Sequence, residues 1–243
     1  MSDTLNFAVV ILAAGQGTRM RSDTHKVLHP IAGKALLMHL LDSVDRLGAE
    51  KRVVVVGKGR DQVEKALNGR DVLIAHQTEQ KGTAHAVQQA KNALEGYEGA
   101  VLILYGDTPF VEPETLKRML ERLDGNGGPG VVVLASTPAD PLKYGRIILG
   151  EGDHIAKMVE YKDATEEERA VRLCNSGMMA VRAKALFRWL DQVGNDNAAG
   201  EFYLPDVVNI AAAEGRDAVV IEGDPYETAG VNSRAELAHL ELD

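Results

Sequence analysis

The chain has 243 residues, 45% of them apolar and 26% charged, with a formal net charge of −9. That length suffices for one large or two small domains with a sizeable core. The acidic balance argues against wholesale binding of nucleic acid or anionic membrane, so any phosphate ligand must be met by a few placed cations and backbone N–H groups. A single cysteine, Cys174, excludes an intramolecular disulfide and suits a reducing, cytoplasmic setting. The opening MSDTLN lacks the basic and apolar regions of a signal peptide, and no apolar run approaches the ~20 residues of a membrane helix.

In chain order, FAVVIL (7–12), RVVVV (52–56), VLIAH (72–76), AVLILY (100–105) and GVVVLA (130–135) are short apolar runs without strict alternation. Such runs suit strands buried on both faces, as in a parallel sheet. Between them, KALLMHLLDSVDRLG, RDQVEKAL, TAHAVQQAKNAL and PETLKRMLERL carry apolar residues at helical spacing. Pro113 falls in the first turn of the last of these, where a missing N–H does no harm. The alternation predicts a Rossmann-like, doubly wound, mainly parallel α/β sheet for roughly the first 135 residues.

The second half has a different rhythm. YGRIIL (144–149) and HIAKMVE (154–160) flank a hairpin-like GEGD, and Thr165 with Glu168 forms a capping-box pattern for a short charged helix. LCNSGMMAV predicts a strand, and AKALFRWLDQV and LPDVVNIAAAEG predict helices. GNGGPG (125–130) reads as a loop. No linker, repeat or low-complexity tract interrupts the chain. The expected organisation is one domain over 1–232, with a small inserted β-rich lobe over about 140–225 and the start of a linker helix at 233–243.

The first strand runs into ILAAGQGTRM, followed by THKVLHP. A strand, a glycine turn and then cations is a recipe for anion binding, because glycine lets backbone N–H groups approach oxygen closely. The dinucleotide fingerprint fails at its third glycine, where Met20 stands, and the P-loop pattern is absent. Taken alone, the turn could equally be structural.

The longer string, LAAGQGTRM then KVLHPIAGK, resembles the signature of nucleotidyltransferases that activate sugar phosphates. QTEQKGTAHAV (77–87), YGDTPF (105–110), KYGRII (143–148), VEYKDAT (159–165), CNSGMM (174–179), GEFYLPDVV (200–208) and GVNSR (230–234) follow in order. Together they are similar to the uridyltransferase domain of bacterial bifunctional N-acetylglucosamine-1-phosphate uridyltransferase/glucosamine-1-phosphate acetyltransferases. The resemblance implies Mg2+-dependent transfer of UMP from UTP to N-acetylglucosamine 1-phosphate, releasing pyrophosphate, for cell-wall and lipopolysaccharide precursors. No covalent intermediate is required, in keeping with the absence of G-x-S-x-G and of a motif pairing Cys174 with a base.

By the same resemblance, Leu12, Ala13, Ala14 and Gly15 cradle the nucleotide, and Arg19 and Lys26 act on its phosphates. The residue chemistry agrees, since arginine offers a fork and lysine a mobile point charge, although solvated surface cations are the plain alternative. Gln77, Gly82 and Thr83 match base-reading positions. Tyr105 and Gly106, with Gly145, Glu160 and Asn175, match positions that hold the sugar phosphate. Asp107 and Asn232 match the metal ligands; an aspartate at a strand end could also cap the next helix.

The chain departs from the family at Gln16, where many members carry lysine, and at Ser176, where threonine is common. No hexapeptide repeats follow GVNSRAELAHLELD, so no acetyltransferase activity is expected, and self-association stays open without the segment that trimerises. His25, His29, His76, His85 and His154 show no zinc-ligand pattern, the acidic run 166–168 reads as a solvated face, and Trp189 reads as helix packing. The rival readings are the same chemistry on another sugar 1-phosphate and a non-catalytic nucleotide-sugar-binding module.

Overall fold

The computed structural model describes residues 6–125, 128–141 and 143–240. Residues 126–127 of the expected GNGGPG loop, 241–243 of the expected linker helix and the first five residues lie outside the described residues. Seven strands form the main path of one sheet: β1 (Phe7–Ala13), β4 (Lys51–Val56), β5 (Leu73–His76), β6 (Ala100–Tyr105), β7 (Val131–Ser136), β10 (Cys174–Arg182) and β11 (Ala218–Glu222). Their order is β11-β7-β10-β6-β1-β4-β5. All pairings along the path are parallel except those of β10, which runs antiparallel to both β6 and β7. A mainly parallel, doubly wound sheet is thus what these residues build.

The reason lies in the two faces of β1. Ala8, Val10 and Leu12 point into one core with α3 (Thr83–Gln88), α6 (Ala183–Leu190) and α7 (Asp206–Ala213). Phe7, Val9, Ile11 and Ala13 point into the other with α1 (Leu36–Leu47), α2 (Arg60–Leu67) and α4 (Pro113–Asp124). Both faces of the strand are covered, so alternation disappears from its sequence and every residue of β1 is buried. A third cluster joins Met20, Ile31, Leu36, Val231 and Leu240, tying the glycine-turn segment to α8 (Arg234–Leu240). Two further short strands, β2 (Pro30–Ile31) and β3 (Lys34–Ala35), pair antiparallel with each other, and β2 supplies Ile31 to this cluster.

The strands of the second half divide between the main path and a side branch. Only β8 (Arg146–Leu149) and β9 (Ile155–Val159) leave the main path, while β10 and β11 are strands of the main sheet. Met179, Ala180 and Val181 of β10 are fully buried between β6 and β7, a long-range pairing that strand periodicity does not reveal. The strand β11 has no counterpart in the sequence reading. The helix expected across TAHAVQQAKNAL ends at Gln88 and continues as turns, with Ala90 bonded to Val87 and Lys91 to Gln88 at i→i−3 spacing. The capping box on α5 (Glu166–Ala170) forms as its sequence implies, with Thr165 and Glu168 bonded reciprocally. Among the described residues, no helix is long and apolar enough to cross a membrane.

Candidate active site

Successive parallel strands leave β1 in opposite directions, β4 and β5 on one side and β6 on the other. The carboxyl ends of β1 and β6 therefore flank a switch point, where open α/β sheets form ligand crevices. Leu12 and Tyr105 are register partners at that edge, and the Gly106 N–H donates to the Leu12 carbonyl at 2.9 Å. A cleft of about 340 Å³ opens there, lined by Leu12, Ala13, Ala14 and Gly15 on one side and by Gln77, Gln80, Gly82 and Thr83 on another. Lys26, Tyr105, Asp107, Glu201 and Asn232 complete it.

Lys26 is the centre of the polar cluster. Its ammonium pairs with the Asp107 carboxylate and donates to Asn232 Oδ1 at 3.2 Å. Both side chains of the ion pair are only 13–15% exposed, so water screens the pair weakly. The Val231 N–H donates to the Asp107 carbonyl at 2.9 Å, and Glu236 accepts the Asn232 N–H at 2.7 Å. A segment 206 residues downstream of Lys26 is thereby fixed beside the end of β6. Gly17 has φ 63°, and a β-carbon there would lie 2.5 Å from Lys26 Cβ, so the second glycine of the turn makes room for the lysine stem.

The opposite wall is held by amides. Gln77, 4% exposed, donates to the Gly82 carbonyl at 3.1 Å and to His85 Nδ1 at 3.0 Å. Burial, and then Lys81, hold the His85 pKa below its ordinary value, so the ring stays neutral and keeps an acceptor nitrogen. Gln80 donates to the Ala14 carbonyl at 2.6 Å and accepts from Gln16 at 3.5 Å, linking the glycine turn to this wall. Gly82 (φ 111°) lies against Phe202, whose carbonyl would be 2.5 Å from a β-carbon, and Thr83 Oγ1 accepts the Leu204 N–H at 2.9 Å.

Tyr105 links the cleft to the second half. Burial pushes its phenol well above the ordinary value, the Glu160 and Asp107 carboxylates add to this, and a bond to Thr83 opposes it. Its ring packs on Gly177, where a β-carbon would be 2.6 Å away. Asn175 Oδ1 accepts the Gly177 N–H at 2.8 Å, its own N–H donates to the Gly145 carbonyl at 3.0 Å, and a Gly145 β-carbon would be 3.3 Å from Glu160. Burial raises the Glu160 pKa, and Asp163, Asp206 and Glu201 raise it further. The same surroundings push Tyr203 up to about 12.

Not every expected residue reaches the cleft wall. Gly106 lies beneath it, against Val27 and Leu37, and Gly145, Glu160 and Asn175 form an adjoining cluster behind Tyr105. Arg19 is exposed and lines a neighbouring cavity that shares Asn232. Gln80 and Glu201 are not among the expected site residues, although they stand inside the QTEQKGTAHAV and GEFYLPDVV blocks. His85, in the first of these blocks and without a metal-ligand pattern, serves as a partner of Gln77. Trp189 is 1% exposed with its indole N–H on Glu214, a packing role as read from its helix.

A doubly wound sheet with a glycine turn, a half-buried lysine–carboxylate pair and a carboxamide at its switch point defines a nucleotide-handling protein. The chain belongs to the MobA-like NTP transferase domain family, matched over residues 9–189. The bifunctional protein GlmU of Rhizorhabdus wittichii is 60% identical over 237 residues, covering 98% of this chain and 52% of that protein. That of Novosphingobium aromaticivorans is 61% identical over 235 residues, covering 96% and 52%. The chain thus spans about half the length of the curated relatives it matches. Among solved structures, the inositol-1-phosphate CTP transferase from T. maritima superposes with a TM-score of 0.74 at 21% identity, covering 100% of this chain and 98% of that one. A UDP-glucose pyrophosphorylase complexed with UDP-glucose gives 0.75 at 19% identity, covering 98% of each. Identities this low speak to the fold alone.

Proposed function

We propose that the chain transfers UMP from UTP to N-acetylglucosamine 1-phosphate, giving UDP-N-acetylglucosamine and pyrophosphate. The observation that carries this reading is the meeting of Lys26, Asp107 and Asn232 in a cleft walled by the glycine turn and by Gln77, Gly82 and Thr83. A sugar-phosphate oxygen attacks the α-phosphorus of UTP and forms the new P–O bond. The bond from that phosphorus to the bridging oxygen breaks, and pyrophosphate leaves with the electron pair. Two anions must be held together, so positioning and charge neutralisation dominate. Residues 12–15 cradle the nucleotide, Lys26 and Arg19 bind its phosphates, and Gln77, Gly82 and Thr83 contact the base. Tyr105, Gly145, Glu160 and Asn175 hold the sugar phosphate, with Gly106 supporting them.

The donor set suits Mg2+. Asp107 Oδ2 and Asn232 Oδ1 converge on one atom, Lys26 Nζ, and both are hard oxygens. Among the described residues, no group of three His, Cys, Asp or Glu could hold a metal, so Asp107 and Asn232 are the residues that would hold the ion. Bound there, Mg2+ would supply charge neutralisation at the phosphates. We take residues 1–232 as the catalytic domain and α8 as the start of a linker; the supply of UTP puts the reaction in the cytoplasm.

The test is pyrophosphate release with UTP, Mg2+ and a panel of sugar 1-phosphates. Preference for N-acetylglucosamine 1-phosphate is the expected result. Turnover confined to glucose 1-phosphate would overturn the sugar assignment, and tight binding without turnover would replace the enzyme with a binding module.

A further inference from the structure

Beside the cleft lies a cavity of about 540 Å³, lined by Arg19, Lys143, Tyr144, Gly230, Asn232 and Glu236 among others. It meets the cleft at Asn232, which lines both. Two cations therefore face one space next to the Lys26 cluster. Neither Arg19 nor Lys143 has an ion pair or hydrogen bond with a described residue, and both are exposed. The carboxylate in this cavity, Glu236, already accepts the Asn232 N–H. Two cations against one carboxylate leave this space with an excess of positive charge, on a chain whose net charge is −9.

We propose that Lys143, which lines this cavity beside Arg19, is a further phosphate-binding residue for the pyrophosphate leaving group. The inference rests on the uridylyltransfer reading. A triphosphate whose α-phosphorus lies by Lys26 must extend its β- and γ-phosphates to a place with cations, and this adjoining cavity supplies two. Arginine offers a fork for two phosphate oxygens, and lysine reaches a third from a different loop. The glycine turn carries the uncharged Gln16, whose amide is taken up by Gln80. Lys143 reaches the same cavity from the loop leading into β8 and adds a second cation to that of Arg19.

Two measurements test this. The first is pyrophosphorolysis of UDP-N-acetylglucosamine, and the second is calorimetric titration of inorganic pyrophosphate with Mg2+ into the protein. Lys143→Ala is expected to raise KM for pyrophosphate about five- to tenfold, the scale of one charge-assisted hydrogen bond, and to weaken the calorimetric affinity equally. KM for the UDP-sugar should change by less than about twofold, and Lys143→Arg should keep most of the pyrophosphate affinity. Wild-type pyrophosphate KM and affinity in Lys143→Ala would overturn the assignment, as would an increase confined to KM for the UDP-sugar. If the unsubstituted protein turns over no UDP-N-acetylglucosamine, the uridylyltransfer reading fails, and the titration alone decides the role of Lys143.

Discussion

A β-carbon placed on Gly17 would fall 2.5 Å from the β-carbon of Lys26 and 3.0 Å from its γ-carbon. The contact involves the root of the lysine side chain, so rotation of its far end gives no relief. Gly17 also has φ 63°, where a side chain is strained. Gly17→Ala is therefore expected to cost about 1–3 kcal/mol of stability and to move Lys26 off Asp107. Urea melts and kcat measured on the same preparation check this; a variant with unchanged kcat would separate the turn from the lysine. Gly15→Ala, where a β-carbon meets nothing within 4 Å, is the control for folding.

Arg19 and Asp107 differ in burial, and their variants should differ accordingly. Arg19 is exposed and unpaired among the described residues, so Arg19→Ala should leave stability within about 0.5 kcal/mol. Its removal from the phosphates should still lower kcat by roughly 10²-fold, as for other groups that stabilise developing charge. Asp107→Asn removes the counter-ion of Lys26 and one hard oxygen, so it should lower kcat and shift the Mg2+ dependence to higher concentration. Thermal melts beside a Mg2+ titration of the rate distinguish the two, and a wild-type rate in either variant contradicts its assigned role.

Much of this could be read in advance where the signal is local. The apolar runs of β1, β4, β6 and β7 are continuous because helices cover both faces, and the Thr165–Glu168 box is a four-residue pattern. Where partners are distant, the sequence is silent. The insertion of β10 between β6 and β7 depends on register across the chain, and β8 and β9 are the strands of the described second half that lie off the path. Asn232 and Lys26 meet across 206 positions, and motif order linked them where no periodicity could. Arg19 and Lys26 are near neighbours in sequence but face different cavities, because Lys26 lies in the next 3-10 turn, closed by its own bond to His29. Gln80 and Glu201 reach the cleft through backbone contacts of their loops, with Phe202 bonded to Lys81 and Ala84 to Phe202.

Gln77 holds its wall from inside. Its amide is the donor to both the Gly82 carbonyl and the neutral His85, so Gln77→Ala strands two acceptors in a buried place. The expected stability loss is about 1–3 kcal/mol. Release of Gly82 should also loosen the wall assigned to the base, raising KM for UTP and narrowing the preference for UTP over CTP. Steady-state kinetics with both nucleotides check this. Unchanged nucleotide discrimination would remove Gln77 from base recognition and leave it a structural role.

Glu160 combines a binding assignment with an electrostatic cost. Burial raises its pKa, and the carboxylates of Asp163, Asp206 and Glu201 push in the same direction. Because its folded pKa lies above the unfolded value of about 4.3, its stabilising contribution is complete below that value and is lost as pH rises through the folded pKa. Glu160→Gln removes the charge and should therefore melt at a higher temperature than the unsubstituted protein at pH 7–8. The gap should close as the pH falls well below the unfolded value, where Glu160 is protonated in both states. Substrate binding should move the other way: an amide accepts less strongly from sugar hydroxyls, so KM for the sugar 1-phosphate should rise while KM for UTP holds. Melting curves at several pH values, read beside the two KM values, check both halves. A variant less stable at pH 8 would contradict the electrostatic account, and an unchanged sugar-phosphate KM would move Glu160 out of the sugar site.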